Sequence, residues 1–295
     1  MLTYAEAKMR TGDAVKRLAQ QYATRLNNSE LLSTLRHRHL PRERYLPFIA
    51  AMYPCVVGFN RGLLKGIAKV DHVRQSSFVK ALAEQIMEEQ EHNGMWRKKL
   101  ERYGVDHEAL YETFERYVAQ FSARDMDRMT RDVLAALTDD LGNYSPRVFP
   151  NPPFPEPVLA LCHHLWMTAT YDSFSHWEHF ATQAGMEMVI FDIVSTSIWP
   201  GVSGNPELDE GPVTMRWWDE HARQGSAASG ARTDEEKHLE LSQLALSRAQ
   251  LTPSQKEQVV ARAEDAMRLF SASIMCHDFG AANFSAERYL VKKSA

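Results

Sequence analysis

Residues 87–106 read MEEQEHNGMWRKKLERYGVD. With Leu82 and Ile86 just upstream, the apolar residues Leu82, Ile86, Met87, Met95, Trp96 and Leu100 recur at spacings that give one helix a substantially buried side, and the pattern predicts a helix over 76–103. Residues three and four apart share a helix face, so Glu89 and His92, or Glu88 and His92, point the same way. The same helical spacing runs through most of the chain, while the strict alternation of a strand hardly occurs, which predicts an all-α protein. Helices are expected over about 4–26, 41–68, 76–103, 106–122, 125–140, 155–183, 185–198, 213–223, 233–248 and 253–290. Gly and Pro gather in the loops between them, at 142–157, 200–212 and 225–230. Thr252-Pro-Ser-Gln255 and Thr233-Asp-Glu-Glu236 have the residues of a capping box and mark two helix starts. No repeat and no compositional linker divides the chain. The expectation is one helical domain over 1–295, with an N-terminal helix at about 1–27 and an inserted loop region at about 142–157.

The 295 residues carry 34 Lys plus Arg against 38 Asp plus Glu, so no basic field exists to hold nucleic acid or an anionic membrane. Three widely spaced cysteines, Cys55, Cys162 and Cys276, give neither a disulfide framework nor a metal knuckle. The start MLTYAEAKMRTGD lacks the apolar core of a signal peptide, and no apolar run is long enough to span a bilayer. These features together point to a cytoplasmic enzyme acting on a small molecule.

A Glu-x-x-His pair projecting inward from a bundle helix supplies two ligands of carboxylate-bridged di-iron and di-manganese sites. Glu89 and His92 form one such pair. A second segment, Asp234-Glu235-Glu236-Lys237-His238, sets Asp234 four and Glu235 three residues before His238 on another helix. Its acids also suit the first turn of a helix, where they favour the dipole, but that leaves His238 unexplained. Single carboxylates could come from Glu187 or Asp192, on the otherwise apolar stretch GMEMVIFDIVSTSI at 185–198. Their separation of five puts them on different faces, so one of the two is expected to point into the site. The 41–68 helix has no acid after Glu43 and offers no carboxylate. His221, after Trp217-Trp218-Asp219-Glu220, is a candidate ligand or lid residue. His163, His164, His176 and His179 read as core or interface histidines, and His37 and His39 as a basic surface turn.

The run from Leu31 to Asp106 has a short helix, a Pro-containing turn, an Arg-Glu-Arg-Tyr helix start, a Tyr midway at Tyr53, and an EExxH helix ending in Leu-x-x-Tyr-Gly-Val-Asp. In this order of segments the chain resembles the heme-oxygenase-fold enzymes. Within that superfamily it is most similar to the heme-oxygenase-like di-iron oxidases, whose fold PQQ synthase, thiaminase II and heme oxygenase share. The resemblance implies an all-α heme-oxygenase-like bundle and a soluble non-haem di-iron oxygenase in specialised metabolism. It would use Fe2+ and O2 to oxidise a small amine, amino acid or carboxylic acid by N-oxygenation or C–C cleavage. The metal set it implies is Glu89 and His92, Glu187 or Asp192, Asp234 and His238, with His221 supplying a further imidazole. A reductase or external reductant is the implied partner, and a homodimer is compatible with the reading. A metal-independent enzyme of the PQQ-synthase or thiaminase-II kind, using His and Glu as acid and base, is the alternative. A haem-binding protein using His37 or His39 is the third.

Overall fold

The computed structural model describes residues 9–137, 153–208, 210–222, 234–278 and 284–291. Two helices open the chain, α1 (Thr11–Asn27) and α2 (Glu30–Arg36), the second capped by the Ser29 hydroxyl, which accepts from Leu32 N–H. The long α3 (Arg42–Gly66) and α4 (Ser76–Arg102) follow, then α5 (His107–Val118) and α6 (Ala123–Ala136). Beyond them lie α7 (Glu156–Thr170) and α8 (His176–Ile193). The latter continues without a break through a π-helical turn, Val194–Ile198, into α9 (Trp199–Val202). The chain then forms α10 (Pro212–Glu220), α11 (Asp234–Arg248) and α12 (Pro253–Met275). Among the described residues there is no strand, only an isolated bridge between Val105 and Leu290, and no helix is long and apolar enough to cross a membrane.

The centre of the bundle is α8, which is apolar almost all round and buries residues along its whole length. It packs on α1 and α12, while α7 joins α12 to α3 and α3 leads on to α4. The buried apolar side chains form one contiguous cluster that extends from Ala14 near the start of the described chain to Tyr289 near its end.

Several predicted boundaries move, among them the first, where the helix expected from about 4 begins at Thr11. The helix expected over 155–183 breaks at Tyr171–Ser175, where the Ser175 hydroxyl accepts from Glu178 N–H and the Glu178 carboxylate accepts from Ser175 N–H, starting α8 nine residues before the expected 185. Lys69 caps the end of α7 by donating to the carbonyls of Thr168, Tyr171 and Phe174. The helix expected to run to 290 ends at Met275, and the last described segment instead donates Val291 N–H to the Gly104 carbonyl at 2.7 Å. The Thr252 capping box forms as its residues predict, with Gln255 N–H on the Thr252 hydroxyl. Thr233 and most of the 142–157 segment lie outside the described residues.

Several core histidines are held neutral. Burial lowers His164 from its ordinary 6.5 to about 3, and lowers His179 and His277 to about 4. Between those values and 6.5 the unfolded chain binds more protons than the folded one, so stability is lost as pH falls through that window. At pH 5 the loss is on the order of 2 kcal/mol for each imidazole. The urea midpoint is therefore expected to drop between pH 7 and pH 5, and less so in a His179→Gln, His277→Gln variant; a midpoint that does not move would contradict the assignment.

Candidate metal centre

The buried face of α4 runs through Leu82, Gln85, Glu89, His92, Asn93, Trp96, Lys99 and Leu100. Its spacing is that of a core stripe, yet five of these side chains are polar: Gln85, Glu89, His92, Asn93 and Lys99. A polar group buried in this way costs free energy unless it finds a partner. Partners come from four directions. Asn60 of α3 donates its amide to the Glu89 carbonyl at 2.6 Å. Gln85 donates to Glu187 Oε1 on α8. His92 sits between two carboxylates, its Nδ1 3.1 Å from Glu89 Oε2 and its Nε2 3.3 Å from Glu220 Oε2.

The fourth partner is His221, at the C-cap of α10. Its Nδ1 lies 2.8 Å from the Trp217 carbonyl. A carbonyl only accepts, so Nδ1 carries the proton and, in the neutral ring, Nε2 keeps a lone pair. The ring also stacks on the Trp217 indole, with centroids 3.8 Å apart, and its centroid is 4.4 Å from that of His92. Burial, followed by the charge of His92, pushes the His221 pKa well below its ordinary value, so it is neutral at pH 7. Ligand atoms of Glu89, His92 and His221, all three buried, lie within 4.8 Å of one another. Two imidazoles and a carboxylate so placed are a donor set for a divalent transition metal. The hydrogen bond on the far nitrogen of His221 is the kind of outer contact that orients a metal-binding imidazole.

Glu89 and His221 also line a cavity of about 70 Å³ between α3, α4, α8, α10 and α12, room for several waters or part of a small organic molecule. Its walls are apolar, with Phe59 from α3, Ile190 from α8 and Phe270 from α12 among them. The π-helical turn contributes Val194 and Ile198 to the lining. That turn is tied to α1 through Asn27, whose side-chain carbonyl accepts from Ser197.

Glu187 lines this cavity, whereas Asp192 does not. Asp192 accepts instead from the Asn27 amide at 2.9 Å. His238 of α11 is 2.9 Å from Glu88, the neighbour of Glu89 on α4. The side chains of Asp234 and Glu235 lie outside the described residues. His163 is bonded to Asp127, His164 to the Arg262 carbonyl, His176 to Gln75 and His179 to Thr168. His37 and His39 are exposed on their turn and do not line the cavity. Sequence reasoning missed Glu220 and Gln85. Gln85 lies seven residues before His92, a three-plus-four spacing that marks a shared helix face. Glu220 carries no such mark, because its contact with His92 joins two separate helices. Burial pushes the Glu220 carboxyl up, but His92 and Arg216 outweigh it and hold the group below its ordinary value.

A second buried pair fixes α10 against α4. Lys99, wholly buried, donates to Glu210 Oε1 at 2.7 Å. The same oxygen accepts from Tyr45 of α3 at 2.6 Å, and Trp218 donates to the Tyr45 hydroxyl. Tyr103, at the end of α4, donates to the Leu208 carbonyl. The segment leading into α10 is thus held at both Leu208 and Glu210. Burial lowers the Lys99 pKa to about 8, against the opposing pull of Glu210.

No family model matches the chain, and no curated protein matches it. Among solved structures it is similar to a TenA homolog from Pseudomonas syringae pv. tomato, with a TM-score of 0.57, 16% identity, and coverage of 89% of this chain and 91% of that one. At that identity the likeness carries the fold alone, which is the heme-oxygenase-like all-α fold.

Removing one member of a buried ion pair strands the other. Glu210→Ala is expected to cost about 3–5 kcal/mol in urea denaturation, and Lys99→Met with Glu210→Leu markedly less. Equal losses in the two variants would show that the pair does not pin α10.

Proposed function

We propose that this protein is an O2-dependent oxidase of a small organic substrate, with a single ferrous ion held by Glu89, His92 and His221. The observation that carries the reading is the convergence of these three buried side chains on the wall of an apolar cavity. Iron held by this two-histidine, one-carboxylate set would supply the redox chemistry with O2 that protein side chains lack. The chain's own residues do the rest. Trp217 fixes the His221 ring through its carbonyl and its indole, and Asn60 fixes the backbone at Glu89. Glu220 faces Nε2 of His92 and can hold a proton there. The apolar walls keep water away from the reacting atoms. An external reductant or reductase is the corresponding partner.

This reading departs from the di-iron site expected from the sequence. Asp192 is committed to Asn27 and His238 to Glu88, so among the described residues a second complete ligand set does not assemble.

One observation favours a metal-independent enzyme of the thiaminase-II kind: His92 lies between two carboxylates, an arrangement suited to moving a proton on a bound organic ligand. The two readings separate cleanly. After anaerobic loading with ferrous iron and desalting, the full chain is expected to retain about one iron, as befits one such ligand set, and His92→Ala with His221→Ala to retain none. Unchanged iron in the double variant would overturn the metal reading. Full turnover in the presence of a strong chelator would decide for the acid–base one.

A further inference from the structure

A line of aromatic side chains leads away from the site. The Trp217 ring lies 3.8 Å from that of His221 between centroids, and Trp218 follows at 4.7 Å. Trp218 donates its indole N–H to the Tyr45 hydroxyl at 3.2 Å, and the Tyr45 and Tyr103 rings stand 5.9 Å apart, edge to face. Tyr103 ends α4 beneath the guanidinium of Arg42, which is exposed and 5.1 Å from the ring centroid. Trp96 meets both indoles and widens the line. Tyr and Trp are the aromatic side chains that give up one electron most readily. Transfer between rings in contact is far faster than a single jump over the whole distance.

The groups along the line determine where a missing electron settles. Oxidised Trp217 has nowhere to send its indole proton, because Nε1 is buried with no acceptor among the described residues. At Trp218 the Lys99 ammonium, 4.6 Å from the ring, opposes a second positive charge. Tyr45 differs from both. Its hydroxyl donates to Glu210 Oε1 at 2.6 Å, so loss of an electron can be joined to transfer of the phenolic proton to that carboxylate, leaving a neutral tyrosyl radical.

We infer that Trp217, Trp218 and Tyr45 form a relay that carries oxidising equivalents from the metal site towards Tyr103 and the surface. The inference rests on the proposed function, which places a strong one-electron oxidant, formed from iron and O2, beside His221. When no substrate is present, one electron passes from Trp217 to that oxidant. Trp218 refills Trp217, and Tyr45 refills Trp218 while its proton moves to Glu210. A one-electron donor of the ascorbate class then returns an electron through Tyr103, and the proton goes back from Glu210 to Tyr45. The sum is one electron from donor to site, with the relay restored and the ligands spared oxidation.

Freeze-quench electron paramagnetic resonance on the full chain tests it. Iron-loaded protein exposed to O2 without substrate is expected to show a tyrosyl radical, which Trp217→Phe and Tyr45→Phe each remove and ascorbate discharges. Its formation should be slower in D2O, which a packing role for Tyr45 would not produce, and melting temperatures control for folding. A tyrosyl signal undiminished in either variant would overturn the inference. The metal-free chain, flash-oxidised with ruthenium tris-bipyridine and persulfate, tests the path without iron. A long-lived tyrosyl signal there that is lost in Tyr45→Phe, with none in the iron-loaded chain, sinks the O2 reading and spares the path. No such loss in Tyr45→Phe overturns the path whatever the iron content.

Discussion

The burial of polar side chains along one face of α4 is the constraint around which the site is built. Gln85, Glu89, His92 and Lys99 occupy positions that in an ordinary bundle helix would be apolar. Each would destabilise the fold if left without a partner, by more than one ordinary hydrogen bond contributes. Glu187, Glu220 and Glu210, from α8, α10 and the segment before α10, meet Gln85, His92 and Lys99, while the Glu89 carboxylate faces His92 itself and Asn60 of α3 holds the Glu89 backbone carbonyl. Packing alone would not single out this arrangement, since apolar side chains tolerate several registers. Hydrogen bonds and ion pairs at fixed positions do not.

The polar face divides into two parts. Lys99 and Glu210 form a closed pair, with Tyr45 and Trp218 completing the surroundings. Two helical turns earlier, His92 faces carboxylates on both sides and the imidazole of His221. The first part anchors α10, and the second depends on where α10 places its last turn. Since α10 is a short helix that carries Trp217, Trp218, Glu220 and His221 together, fixing its start fixes the histidine at its end.

The fold class was legible because helical spacing of apolar residues persists through nearly the whole chain. The break at Tyr171–Ser175 was hidden by an aromatic run that continues across it, although Ser175 and Glu178 have the spacing of a capping box. Glu89 and His92 could be paired from sequence because they are neighbours on one helix. Glu187 and Asp192 could not be separated, because α8 is apolar on nearly every side and the pattern does not say which acid faces α4 and which faces α1. The meeting of His221 with His92 was only a candidate, since no periodicity records a contact between two helices so far apart in the chain.

The character of the cavity follows from the same constraint. A bundle that buries carboxylates must either neutralise them internally or leave their charge to be met by something that enters. Lys99 shows the first solution at Glu210, where anion and cation are both wholly buried. At Glu89 the nearest groups are the imidazoles of His92 and His221. Imidazole and carboxylate together suit a metal ion. The pair at Lys99 and the donor set at Glu89, His92 and His221 thus answer one constraint in two ways, the first with an internal cation and the second with converging ligand atoms.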